Sequence, residues 1–408
     1  MVNREGSKSM DRKKVLWLSA CVPVKNGREA GTKTFFYYYE KMRGDSRFDI
    51  KMIAFCKQYL LEEAIEDNRG YDIDYIVYDN IPKYQKLINI ESRYNPFNRY
   101  AGLIPNYSVQ QLFKKLKRLK SNGYIPEIVI LEWTQLVVLA KDIKGIFPSC
   151  KIVASEHDVT FVGYKRKAEY FKGINGYIWK FKYIREKSKE LGALKHCDLI
   201  LPHNEDNTDI LIQEGINKKQ IQWLTPYFNN MKDCHWNGEE RSVLFFGAMA
   251  RPENYLSAIW YIENVMPRIQ DLKLKFVVLG SNPAEVFEKY INDEVIVTGF
   301  VEDVTPYFEK SLCLVAPLVL GAGIKVKILE AMSAGIPILT NAIGIEGISA
   351  TTQKEYVHCE DAFEYEKAIR QAYKRELDSI GSNGQRFVNE HFSLEKSKNR
   401  YFASLVTL

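Results

Sequence analysis

The sequence has no run approaching 18 uncharged apolar residues, which removes a membrane-spanning helix from what the chain is expected to form. Met1 to Lys14 is polar and basic, and no apolar stretch of signal length with a small-residue cleavage pattern follows it, so the expected location is cytoplasmic. The seven cysteines are odd in number and scattered, and Cys313 sits in Leu312-Cys313-Leu314; they read as reduced core residues, against a disulfide framework. His196-Cys197, Cys234-His235 and His203 lack zinc-ligand spacing. No Gly-x-Gly-x-x-Gly follows an expected strand and no P-loop pattern occurs, which excludes the commonest NAD and nucleoside triphosphate sites. A formal net charge of +6 over 408 residues suits an anionic ligand or membrane surface only weakly. No RNA- or DNA-binding module signature is present, and no nucleic-acid partner is expected.

What the chain does have is a repeated alternation of short apolar runs with longer amphipathic ones, the pattern of parallel strands joined by crossover helices. In the first half, strands are expected at Val15-Leu18, Lys51-Phe55, Ile73-Val77, Ile128-Leu131, Ile152-Ala154 and Leu199-Leu201. A loop from Cys21 to Gly31, containing Pro23, Asn26 and Gly27, leads to a helix starting near Thr32. Residues 164–195 read as one basic, aromatic helical stretch with a break at Gly173-Gly176. The second half repeats the grammar: strands at Val243-Phe246, Phe276-Leu279, Val295-Val297, Leu312-Ala316 and Ile336-Leu339, with helices near Asn254-Ile269 and Thr305-Lys310.

The expected architecture is α/β, with two doubly wound Rossmann-like domains facing across a cleft. Residues 1–229 form the first, 230–240 a linker, 241–392 the second, and 393–408 a helix that packs back on the first. In such sheets ligands bind beyond the carboxyl ends of the strands. The Cys21-Gly31 loop and the turn at Gly321-Lys327 both follow strands in that way, so they are expected to face each other.

Residues 321–335, Gly-Ala-Gly-Ile-Lys-Val-Lys-Ile-Leu-Glu-Ala-Met-Ser-Ala-Gly, carry the most chemistry. Glycines let backbone amides approach an anion, a helix N-terminus adds its dipole, and Lys325 and Lys327 fall where phosphate oxygens would lie. At about 100° per residue, Lys327, Glu330, Ala331 and Ala334 share a face, expected to be free for a ligand, while Ile328, Leu329 and Met332 turn to a core. From spacing alone, a buried α/β helix with solvated lysines fits the segment equally well.

In order along the chain, Phe245-Phe246-Gly247-Ala248-Met249, Pro252-Glu253-Asn254, Val278-Leu279-Gly280, Thr298-Gly299-Phe300-Val301-Glu302-Asp303, Ala316-Pro317-Leu318, Gly321 to Gly335 and Gly344-Ile345-Glu346-Gly347 resemble the C-terminal domain of family 4 retaining glycosyltransferases, which have the GT-B fold. The resemblance implies that Glu330 is the second Glu of an E-x7-E motif and contacts the donor ribose. It implies that Lys327 and Lys325 hold the diphosphate with Arg251, and that the backbone of Gly247, Gly321, Gly323 and Ile324 lines the nucleotide. In the first half, Gly31 resembles the glycine loop of the cleft, and His157, in Ser155-Glu156-His157-Asp158, the family's active-site histidine near the sugar. The catalytic set is then His157, Lys327 and Glu330. Two positions depart from the pattern: the first Glu of E-x7-E is replaced by Ala322, and the usual loop Lys after Gly247 by Pro252-Glu253-Asn254.

The implied reaction moves a sugar, with retention, from a nucleotide-sugar donor to a glycan or lipid-linked glycan acceptor, and the expected setting is cell-surface polysaccharide synthesis. Breaking a glycosyl-phosphate bond builds negative charge on the leaving diphosphate, which Lys325, Lys327 and Arg251 would stabilise, so no metal cofactor is expected. Asp72-Ile73-Asp74 has the Asp-x-Asp spacing of a metal site, but it begins a strand instead of following one and reads as a solvated edge. The aromatic, basic segment Lys165 to Lys189 reads either as a half-buried helix with a solvated face or as a peripheral contact with the inner face of an anionic membrane. Two alternatives stand beside the transferase: a nucleotide-sugar epimerase of the same fold, and a non-catalytic subunit that partners another transferase.

Overall fold

The computed structural model describes residues 12–25, 27, 30–80, 85–87, 90, 95, 98–100, 103–281, 285–321 and 323–408. Ala322 and Asn26, both singled out in the sequence, lie outside the described residues.

Two six-stranded parallel sheets form the two lobes. The first comprises β1 (Lys13–Ser19), β2 (Phe48–Cys56), β3 (Ile73–Val77), β4 (Ile128–Glu132), β5 (Lys151–Glu156) and β6 (Leu199–Pro202), in the order β3-β2-β1-β4-β5-β6. The second comprises β7 (Glu240–Phe246), β8 (Lys275–Leu279), β9 (Val295–Gly299), β10 (Ser311–Ala316), β11 (Ile338–Thr340) and β12 (Val357–His358), in the order β12-β11-β10-β7-β8-β9. Both sheets are doubly wound as expected. The strands lie on the predicted apolar runs, except that β11 starts two residues later than expected and the two-residue β12 was not foreseen.

Continuous apolar runs follow from burial on both sheet faces. Along β1, Val15 and Trp17 enter one core cluster, with helix α1 (Ala30–Arg43), while Leu16 and Leu18 enter the cluster on the opposite face. Helices α2 (Thr160–Tyr170) and α3 (Gly173–Leu194) form a hairpin broken at Gly173, whose φ of 60° a glycine takes without strain. In the second lobe, α4 (Pro252–Asn264) follows β7, and α5 (Val326–Ala334) follows the glycine turn after β10. Helix α6 (Asp378–His391) packs on α5, and α7 (Leu394–Thr407) crosses to the first lobe. There Tyr401, Phe402 and Leu405 are buried with Val15, Trp17 and Tyr38, and the Tyr38 hydroxyl donates to the Thr225 carbonyl at 2.7 Å. No helix among the described residues is long and apolar enough to cross a membrane.

In each sheet the strand order reverses beside the first strand, between β1 and β4 and between β7 and β10. Such reversals open a crevice at the carboxyl ends, because the flanking loops leave on opposite faces. The residues of interest sit on the loops around those two crevices.

Candidate active site between the lobes

Glu132, the buried last residue of β4, accepts from the Trp17 indole at 2.9 Å, the Ser155 hydroxyl at 2.7 Å and His157 Nε2 at 2.6 Å. A carboxylate only accepts, so these bonds place the imidazole proton on Nε2 and leave Nδ1 as an acceptor. Trp133, held at a φ of 71°, stacks its ring on His157 with centroids 4.4 Å apart, and His203 abuts the imidazole at 4.3 Å. Burial, with His157 beside it, drives the His203 pKa well below its ordinary value, so it is neutral. His157 Nδ1 is buried and has no hydrogen-bond partner. It faces Gly31, where a Cβ would lie 3.3 Å away; the bare glycine lets the first turn of α1 approach the ring. His157 and Gly31 are thus brought together, as the resemblance implies.

A second buried carboxylate group supports the loop after β5. Glu190 of α3 accepts from the backbone amides of Thr160 and Phe161 at 2.9 and 3.0 Å, tying the start of α2 to α3. The Thr134 hydroxyl donates to Glu156 at 2.5 Å. Burial pushes Glu156 up to about 8 and Glu190 well above the usual range, with Glu156 adding to the latter. These groups brace the loop that presents Asp158.

Across the crevice, Lys327 Nζ donates to Asn254 Oδ1 at 2.9 Å and lies 4.6 Å from the Phe245 ring centroid. Asn254 in turn donates to the Ala248 carbonyl at 2.8 Å. The Pro252-Glu253-Asn254 departure therefore has a local meaning: where a loop cation was expected, an amide orients the cation of α5. Burial, then Lys325 and Arg251, push Lys327 down to about 7, with Glu253 opposing. The neighbouring cations thus add to the effect of burial, and among the described residues the Lys327 ammonium has only the amide of Asn254 as a hydrogen-bond partner.

Lys325 is the N-cap of α5, one residue before the expected helical position, and its ammonium donates to Glu346 at 3.1 Å and to the Gly323 carbonyl. Burial lowers its pKa although Glu346 opposes this. Arg166 of α2 reaches from the first lobe to grip both Glu346 oxygens at 2.7 and 2.8 Å and also donates to the Gly321 carbonyl. Burial raises the Glu346 pKa, but Arg166 and Lys325 outweigh it and the net direction is down. Lys167 pairs with Glu253 at 3.4 Å and the Gly347 amide donates to Asp206 at 2.6 Å, so the lobes are joined on both sides of the turn.

Gly323 has a φ of 70°, and a Cβ there would sit 2.0 Å from Asp158 Oδ1, so only glycine admits the carboxylate. Asp158 opens onto the crevice yet has both lobes around it. Burial pushes it up to about 6, against Lys325, His157 and Arg251, with Glu346 adding to the rise. Arg251 is the N-cap of α4, mostly exposed, and its charge bears on both Lys327 and Asp158. Gly247, at the end of β7, lies against the Asn254 amide. Ile324 packs its side chain on the second core, so only its backbone lies along the turn.

Glu330 accepts from the Asn229 amide at 3.1 Å; burial raises its pKa, opposed by that bond and by Lys33 of α1. The expected ligand face of α5 is narrower than its spacing suggested. Ala331 and Ala334 are buried in the second core, and Ser333 accepts from the Met231 amide at 2.9 Å. Gln385 of α6 donates to the Ser333 carbonyl at 2.9 Å. The interlobe segment and α6 cover that side, leaving Lys327 and Glu330 half-buried at its crevice edge.

Other sequence candidates fall elsewhere. Asp72 pairs with Lys51 at 2.6 Å and Asp74 with Lys115 at 3.3 Å, on or beside the edge strand β3 and away from the crevice. Cys197 and Cys234 are buried while His196 and His235 are exposed, so each adjacent pair splits between core and solvent. All seven cysteines are free. Glu132, Asn254, Arg166 and Glu346 were not named as site residues: Asn254 and Glu346 stand inside quoted motifs, Glu132 ends a strand, and Arg166 falls within the basic, aromatic segment Lys165 to Lys189.

Comparison with known proteins agrees with the fold. Over 97% of its length the chain superposes on all of the crystal structure of Anabaena HepE in complex with UDP, with a TM-score of 0.64 and 13% identity. Sucrose-phosphate synthase from Thermosynechococcus elongatus matches 97% of the chain with a TM-score of 0.67 and 14% identity. The lipopolysaccharide outer core galactosyltransferase WaaB in its apo form matches with a TM-score of 0.61 and 13% identity, over 97% of this chain and all of that one. An uncharacterized 44.6 kDa protein in the cps region of Klebsiella pneumoniae is 26% identical over 168 residues. That match spans 38% of this chain and 43% of the Klebsiella protein, less than half of either. The whole chain has the two-lobed Rossmann-like fold of these structures, and residues 240–375, from β7 through the Gly321 turn and α5, match the family model for Glycosyl transferases group 1.

Proposed function

We propose that the chain is a retaining glycosyltransferase that moves a sugar from a nucleotide-sugar donor to a glycan or lipid-linked glycan. The observation that carries this reading is the cation group Lys325, Lys327 and Arg251 at the carboxyl end of the second sheet, where burial, with Lys325 and Arg251 adding to it, lowers the Lys327 pKa to about 7. A diphosphate placed there would remove the mutual repulsion and draw a proton onto Lys327. The same charges then stabilise the leaving group as the glycosyl-phosphate bond breaks, where preorganised charge is worth most. In this reading the cations take the neutralising role and no metal cofactor is included. Glu330 binds the ribose hydroxyls. His157, fixed by Glu132 and with Nδ1 unpaired, accepts a hydrogen bond from a sugar hydroxyl, and the leaving phosphate takes the acceptor proton.

The structures of HepE with UDP and with UDP-glucose support a uridine diphosphate sugar as the first donor to try. The cps region that holds the Klebsiella relative supports a role in surface polysaccharide synthesis. Free, mostly buried cysteines support the cytoplasm as the place of work. Calorimetry with UDP-, GDP- and ADP-sugars tests the reading: one nucleotide class should bind, and donor with acceptor should yield product of unchanged anomeric configuration. Failure to bind any of them would overturn the reading in favour of a non-catalytic subunit, and conversion of donor alone would favour an epimerase.

A further inference from the structure

Helix α3 carries a row of large apolar side chains that no described residue covers. Ile174 is 80% exposed, Tyr177 76%, Ile178 46%, Phe181 50% and Ile184 59%. They recur at i, i+3, i+4, i+7 and i+10, one stripe along the outward side of the helix, about 15 Å long at the usual helical rise. The inward side is accounted for: Glu186, Glu190, Ala193 and Leu194 are buried against the first lobe. Single exposed apolar residues are ordinary on a soluble protein, but a contiguous row on one helix marks an interaction surface.

Charge identifies the occupant. Both acids of α3, Glu186 and Glu190, point inward, so the outward side has none. Lys172, Lys180 and Lys189 are exposed around the stripe, and Lys182 lies 4.4 Å from the Trp179 ring centroid with its stem along the helix. An apolar stripe whose own helix turns lysines and no carboxylate outward, with Glu169 of α2 the exposed acid beside Lys172, matches the interface of an anionic bilayer, where rings and branched chains enter the acyl boundary and ammonium groups meet phosphates. A protein partner of mixed charge would gain nothing from so one-sided a border.

We propose that the outward face of α3 is a docking surface for an anionic lipid bilayer. The hairpin partner α2 begins two residues after Asp158 and sends Arg166 to Glu346, so docking would hold the crevice beside the lipid surface. That consequence for a lipid-linked acceptor rests on the proposed transferase function; the docking itself does not.

Flotation of the full-length protein with vesicles tests it. With phosphatidylglycerol-rich vesicles the protein should float, and with phosphatidylcholine alone binding should fall about tenfold. Tyr177→Ser/Phe181→Ser/Ile184→Ser should also lose about tenfold or more, while thermal unfolding and nucleotide binding stay as in the wild type. Should that variant fail to fold, Lys180→Glu/Lys189→Glu, which changes only exposed charges, should reduce flotation about tenfold. Wild-type protein that floats with neither vesicle, or a folded triple variant that floats like wild type, would overturn the proposal. So would self-association abolished by the triple variant without any vesicle binding, which would make the face a protein interface. Loss of nucleotide binding by the wild type with flotation intact would overturn the transferase reading alone.

Discussion

The two lobes share one strand order and turn matching loops to one crevice, yet they furnish it with different side chains. Beyond the first sheet lie the carboxyl groups of Glu132, Glu156 and Asp158 around the rings of His157 and His203; beyond the second lie Arg251, Lys325 and Lys327. The fold fixes where a ligand binds, and the side chains at matching strand ends decide which part of it each lobe holds. In the proposed function the diphosphate goes to the second lobe, and the first lobe, with an imidazole acceptor and a carboxylate, meets the hydroxyl groups of the sugar.

The largest effect should come from removing the charge at the centre of the cationic side. Lys327→Ala should lower kcat/KM by about a hundredfold to a thousandfold with the fold intact, the usual loss when one preorganised donor to a developing anion is removed. Steady-state kinetics with circular dichroism would check it, and near-normal turnover would erase the contrast between the lobes.

Glu132→Gln probes the other side. Trp17 donates to one oxygen of Glu132, so a glutamine must keep its carbonyl there and turn its NH2 toward His157. The imidazole would then carry its proton on Nδ1, making that nitrogen a donor instead of an acceptor. A fall in kcat of about a hundredfold is expected, with nucleoside diphosphate affinity unchanged. An equal loss of diphosphate binding would mean that the first lobe also holds phosphate.

The smallest effect is a pH dependence. In the empty site Lys327 has a pKa of about 7, and a bound diphosphate raises it, so binding above pH 7 must take up a proton while binding below does not. Asp158, ionised above about 6, adds repulsion in the same direction. Diphosphate affinity should therefore be highest in mild acid and fall about tenfold per pH unit above 7. Calorimetry in buffers of different ionisation enthalpy would show proton uptake, and Lys327→Met should abolish the component near 7.

Much of the fold could be read from the sequence because parallel strands buried on both faces leave unbroken apolar runs, as in Val15-Leu18 and Leu312-Ala316. The two residues of β12 are too short to leave such a trace. At the site, the glycine turn and its lysines were legible because the spacing itself carries the chemistry. Glu132 was not, since it is simply the last residue of an apolar strand and acquires its role from Trp17 and His157, 115 and 25 residues away. The Arg166 to Glu346 pair spans 180 residues and two lobes, beyond what any local pattern encodes. Helical spacing placed Ala331 and Ala334 with Lys327, but a wheel cannot show that α6 and the segment around Asn229 cover them.

The central claim is that diphosphate docks on the second lobe at the amino end of α5. A structure with UDP bound tests it most directly: the phosphates should contact Lys327 and the Gly321–Lys325 turn, with Glu330 at the ribose. Phosphates seated instead against the first lobe, or anywhere outside the crevice, would contradict it.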